Sequence, residues 1–216
     1  VILLCGLNQA VDHSAGLSAG RGVGKEPVLP AYDKGLYAAL RAVIAPLQSA
    51  VLQIARAFLA TGQQPERTII FAFWDGEEKG LLGSKAFVQS FPEIKNVKGY
   101  LNFDMIGRNN NEAKPTHVVY FYTESHPVFG DWLKNDIKKY GLNLAPDYRP
   151  WDNPVGGSDN GSFAKVGIPI IWYHTDGHPD YHQPSDHADR INWDKVVDIT
   201  KASFLNMWYM ANEKEF

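Results

Sequence analysis

Cysteine is almost absent: Cys5 is the only one in 216 residues, so no internal disulfide can form. That leaves the redox compartment open. Long apolar runs are absent too, and none approaches the about 20 residues needed to span a bilayer. No sign of charge dominates, and a net charge of −3 gives no reason to expect nucleic acid or an acidic membrane as partner. The opening segment Val1–Cys5 is apolar but too short for a signal peptide, and no basic region precedes it. It reads as a buried strand, and a chain opening on a core strand is expected to have lost elements in front of it. What is present is ordinary globular material, 44% hydrophobic and 21% charged. The length suits one domain over residues 1–216.

Short β-rich runs alternate with longer helical ones, the pattern of an α/β layered domain. Strands are expected at Val1–Gly6, Thr68–Trp74, Val97–Asp104, Val118–Tyr122 and Pro169–Tyr173. Helices are expected at Ser49–Thr61, Leu81–Ser90, Pro127–Tyr140 and Trp193–Asn212, with Asn192 as N-cap of the last. Two stretches read as long loops. Asn8–Gly35 is rich in Gly, Ala and Pro, and Leu142–Asn160 holds Pro146, Pro150, Pro154 and Gly156-Gly157. Long loops in a compact domain are often functional.

The sharpest motif is Trp74-Asp75-Gly76-Glu77-Glu78-Lys79-Gly80-Leu81-Leu82-Gly83-Ser84, after an apolar strand and opening a helix. Its carboxylates thus fall at a strand's carboxyl end, where open α/β sheets place ligands. Adjacent glutamates repel unless a cation or proton is shared. A solvated helix N-terminus favoured by the helix dipole would also explain them, and taken alone would be the better reading. A second apolar strand, Leu101-Asn102-Phe103-Asp104, also ends in an acid, which is costly to bury unless paired or metal-bound. A turn aspartate is the plain alternative. Finally, His174, His178 and His182 fall within nine residues of a polar loop, in a chain with only seven histidines. Imidazole and carboxylate together suit zinc, and catalytic zinc sites leave one position open for water.

These motifs, with Gly157-Ser158-Asp159 and Phe163, then Tyr181-His182 and Asp186, resemble the co-catalytic zinc aminopeptidase family of peptidase clan MH. Secreted bacterial aminopeptidases belong to it, with glutamate carboxypeptidase and glutaminyl cyclase as relatives. The likeness runs in order from about Ser49 to the C-terminus. It implies a three-layer α/β fold, a mixed, mainly parallel sheet flanked by helices. It also implies two zinc ions bridged by an aspartate and a water. On that resemblance Glu77 is the general base, Glu78 and His182 bind one zinc, and Asp104 binds the other. Asp159 is structural or stands behind the ligands, and Tyr181 helps to orient His182. The implied function is removal of N-terminal residues from peptides, by an enzyme expected to be secreted or periplasmic.

The chain departs from the family at two places. Relatives carry a zinc-binding histidine after the first strand, where this chain has Gly6-Leu7-Asn8, with His13 the nearest histidine. The family's bridging aspartate aligns with Ala42–Pro46, none of which binds metal, while Asp33 lies about ten residues too early. Three explanations stay open. Either His13 and Asp33 stand in through a rearranged loop, or the site is degenerate, or Ala42–Leu47 reflects a single-base shift in the coding sequence. The alternatives to an active exopeptidase are a degenerate binding module or a glutaminyl cyclase-like transferase. The intact Glu77-Glu78 pair speaks against the transferase.

Overall fold

A computed structural model describes residues 2–7, 48–151 and 157–216, the first of these through its backbone alone. Six strands form one sheet: β1 Ile2–Leu7, β2 Ile69–Trp74, β3 Gly99–Phe103, β4 His117–Tyr122, β5 Ala145–Pro150 and β6 Ile170–His174. Their order is β2-β1-β3-β6-β4-β5. Strands β2, β1, β3 and β6 run parallel, β4 pairs antiparallel with β6, and β5 runs parallel to β4. The expected mixed, mainly parallel sheet is therefore the observed one.

Helices cover both faces. α1 (48–60), α3 (Val128–Tyr140) and α5 (Trp193–Asn212) lie on one side, and α2 (Leu82–Ser90) and the short α4 (Asn160–Ala164) on the other. Strand alternation divides the core accordingly. Leu101, Phe103, Ile171 and Tyr173 pack with Ile54, Phe129, Leu133, Ile199 and Met207. Tyr100, Ile170 and Trp172 pack with Trp74, Phe163 and Phe87. A strand covered on both faces is buried at every position, as β3 is, and its one amide side chain, Asn102, is hydrogen-bonded within the core. Helix α5 starts where Asn192 caps it, its side chain accepting from the Lys195 N–H at 3.1 Å.

Two elements correct the expectation of a loop over Leu142–Asn160. β5 occupies Ala145–Pro150 at the edge of the sheet, where a residue without an N–H is tolerated, so Pro146 and Pro150 do not exclude a strand. Helix α4 begins at Asn160, directly after the Gly157-Ser158-Asp159 turn. The stretch Asn8–Gly35 and the segment Ala42–Leu47 lie outside the described residues, as do His13 and Asp33.

Candidate active site

Register places four strand ends along one edge of the sheet, with Leu7 beside Trp74, Gly6 beside Phe103 and Phe103 beside Tyr173. The chemistry-bearing loops leave from that edge. After β2 the chain does not enter α2 at once. Gly76 takes a left-handed φ of 66°, and Leu81 N–H and Gly80 N–H both return to the Glu77 carbonyl at 2.9 Å. Gly83 N–H closes the turn on the Asp75 carbonyl at 2.8 Å. A β-carbon at Gly83 would lie 2.7 Å from the Asp75 nitrogen, so only glycine fits there. The glutamates thus stand in a built turn, and no acid lies in the first turn of α2. The helix-dipole reading of this pair fails on that geometry.

Glu78 Oε1 lies 2.9 Å from His182 Nε2, joining the turn after β2 to the loop after β6. Tyr181 stacks on His182 with ring centroids 3.9 Å apart. The other two histidines of the loop are engaged elsewhere. His174 Nδ1 accepts from the Asp176 N–H at 2.9 Å, and burial lowers its pKa to about 4. His178 is buried 3.8 Å from Asp186, and burial lowers its pKa too. Of the three, His182 is the one that meets a glutamate of the motif.

Acids dominate the remainder of the site. Burial raises Glu77 from 4.5 to about 7, with Glu78 and Asp159 adding repulsion. Burial likewise raises Asp104 to about 8, Glu77 adding to the effect and the Ser158 hydroxyl opposing it. Asp159 rises to about 6, again through burial, with Ser84 easing it. Its carboxylate oxygens find no partner at hydrogen-bonding distance among the described residues. Beneath Asp104 runs a buried polar chain. Trp74 Nε1 donates to the Tyr100 hydroxyl at 3.1 Å, Tyr100 donates to Asn102 Oδ1 at 2.9 Å, and Asn102 Nδ2 donates to Ser158 Oγ at 3.0 Å. The conspicuous Asn102 and Ser158 of the motifs are thus the supports of the acid between them. Nothing in residue spacing pointed to that chain, because its members come from β2, β3 and the turn before α4.

The donor set can be tested against a metal. Four carboxylates and one imidazole converge, and their mutual repulsion is the property a cation removes. Carboxylate oxygen with imidazole nitrogen is chemistry that suits zinc. Among the described residues, however, no three His, Cys, Asp or Glu side chains close around a single point as a metal cage. Glu78 with His182 on one side, and Asp104 on the other, are partial ligand sets of the right chemistry. His13 and Asp33 lie outside the described residues.

Residues 48–206 match the model of peptidase family M28. A leupeptin-inactivating enzyme of Streptomyces exfoliatus is 36% identical over 124 residues, covering 56% of this chain and 26% of that protein. Among solved structures, the LapA aminopeptidase of Legionella pneumophila superposes with a TM-score of 0.71 at 23% identity, covering 99% of this chain and 52% of that one. A zinc aminopeptidase of Bacillus subtilis gives a TM-score of 0.71 at 17% identity, covering 100% and 47%. The chain therefore spans only about a quarter to a half of the length of these proteins. The two structural likenesses establish the fold.

Proposed function

The chain belongs to peptidase family M28, and from that premise we propose that it is a zinc-dependent aminopeptidase, removing N-terminal residues from peptides by hydrolysis. The single observation that supports this best is the placement of Glu77. Its carboxyl stands beside the Glu78–His182 pair on the edge where the strand ends gather, half-buried among acids that raise it in the metal-free chain. A bound cation would relieve that repulsion and leave Glu77 a carboxylate able to accept a proton.

Glu78 and His182 would hold one zinc and Asp104 the other, with His13 and Asp33 completing the set if their loop brings them in. Zinc, when bound, supplies Lewis acidity that activates water near neutral pH and polarises a carbonyl. Glu77 takes a proton from the attacking water on a carboxylate oxygen and returns it to the departing amine. Tyr181, stacked on His182, keeps the imidazole plane fixed. The Trp74–Tyr100–Asn102–Ser158 chain orients the Ser158 hydroxyl that bonds Asp104. Bound zinc would take up the charge of these carboxylates, and action at N-termini follows from the family resemblance. Among the described residues no helix is long and apolar enough to cross a membrane, and export follows from the family resemblance.

The test is metal content by elemental analysis after mild dialysis, together with hydrolysis of a panel of aminoacyl fluorogenic amides. About two zinc ions per chain with turnover is the expected result, two being the number the family resemblance implies. Protein that retains no metal and turns over none of the panel would instead be a degenerate member of the family.

A further inference from the structure

Arg108 is a buried cation that the proposed chemistry leaves unused. It lies in the loop after β3, four residues beyond Asp104, and is 7% exposed. Its guanidinium spans to the loop after β6 and grips two carboxylates there. Nη2 donates to Asp180 Oδ2 at 2.5 Å, and Nη1 pairs with Asp186 Oδ1. These acids lie on either side of His182 in sequence. Asp180 is further held by Ser185 Oγ at 2.7 Å and Arg190 Nη1 at 2.8 Å.

The segment they bracket needs holding. His182 has a φ of 57°, the left-handed region that costs any residue with a β-carbon. Locally it is braced by the turn bonds Tyr181 N–H to His178 O at 3.0 Å, Gln183 N–H to Asp180 O at 2.9 Å and Asp186 N–H to Gln183 O at 3.0 Å, and by the Ser185 hydroxyl on Asp180. Arg108 is itself anchored. Lys195, from the first turn of α5, donates to the Arg108 carbonyl at 2.7 Å, and Asn192 N–H donates to the Gly107 carbonyl at 2.9 Å. Thr175 Oγ1 ties the same loop to β6 through the Met105 carbonyl. A rigid path therefore runs from α5, through the loop bearing Asp104, across Arg108, to the loop bearing His182.

We propose that Arg108 is a positioning residue: by clamping Asp180 and Asp186 it fixes where the His182 imidazole stands relative to Glu78 and Asp104, and so sets the spacing of the metal ligands. This rests on the zinc-aminopeptidase reading above. The ionic form of the clamp matters to the argument. A buried ion triad is a poor source of stability, since apolar replacements of similar volume often serve as well. A planar fork that reaches two acids at once fixes direction, and lysine cannot reproduce it.

Two variants test this, R108K, which keeps the charge but loses the fork, and the neutralised R108M/D180N/D186N. Zinc affinity is read by competition with a chromophoric chelator. The triple variant should melt close to the metal-free wild type, and R108K, which leaves one buried acid poorly paired, somewhat below it. Both should still fold, yet bind zinc about 10–100-fold more weakly, as when partners behind metal ligands are lost. The loss should fall on kcat, with KM little changed. In metal-free protein, amide exchange at Tyr181–Asp186 should quicken in both variants while the sheet stays protected. Folded variants with wild-type zinc affinity and kcat would overturn the proposal, as would loss of the fold in both, which makes Arg108 a brace of the fold alone. If the wild type binds no zinc, the aminopeptidase reading fails separately. Exchange in the metal-free protein then still decides the clamp: faster exchange at Tyr181–Asp186 supports it, and unchanged exchange removes it.

Discussion

Glu77 and Glu78 are neighbours in sequence but meet different surroundings. Glu78 reaches His182 at 2.9 Å, while Glu77 faces burial and the repulsion of Glu78 and Asp159 and is raised to about 7. That difference is consistent with the proposed roles of Glu78 as ligand and Glu77 as base. Replacing Glu77 with Gln keeps the shape of the side chain and removes its capacity to accept a proton. The expected outcome of E77Q is a fall in kcat of about 10²–10⁴-fold, the usual contribution of a positioned base, with zinc content unchanged by elemental analysis. Parallel loss of zinc would place Glu77 among the ligands. H182A should do the opposite, lowering zinc content as well as turnover. The candidate residues could be picked out in the sequence, because a Glu-Glu pair, a strand-end acid and a histidine cluster are rare together, and His182 was singled out by the family resemblance. What spacing alone did not show was that His174 and His178 are drawn into contacts with Asp176 and Asp186 while His182 meets Glu78.

The element that matters most is the turn between β2 and α2. Its glycines were visible in the sequence as part of a motif, but their reason is geometric: Gly83 packs against the Asp75 backbone at a distance no β-carbon permits. G83A should therefore destabilise the protein by about 1–3 kcal/mol, the usual cost of overpacking a close contact. Because the turn carries Glu77 and Glu78, activity should fall further than the loss of folded protein explains. Thermal melting and turnover measured on the same sample check both parts. The strands and long helices were readable because apolar runs of strand length and 3.6-residue periodicity mark them. β5 was hidden by Pro146 and Pro150, whose tolerance comes from the edge position and not from the segment itself. α4 was hidden because five residues are too few to show a helical period.

At the scale of the whole molecule, the parallel strands bring acids from β2, β3 and the α4 turn to one edge, and the cost of that assembly is a pH dependence. Glu77 and Asp104 are raised to about 7 and about 8 in the folded chain, from 4.5 and 3.8. The metal-free folded state therefore holds protons that the unfolded state releases. Stability contributed by these groups is complete below their unfolded values and is lost as pH rises through the folded ones. His174, lowered to about 4 from 6.5, works in the opposite direction, but only below 6.5. Between pH 6.5 and 8 the carboxyls act without that opposition. Lys195, lowered to about 8 by burial, begins to oppose them only at the top of the window. The melting temperature of metal-free protein should therefore fall across it. Zinc needs the deprotonated ligands and releases protons on binding, and it stabilises the folded state in proportion to its occupancy. Added zinc should then raise the melting temperature more at pH 8 than at pH 6.5, and so flatten or reverse the slope. Melting curves at both pH values, with and without zinc, measure this. A metal-free profile flat across the window would mean that these acids ionise freely, and the repulsion that marks them as a cation site would lose its basis.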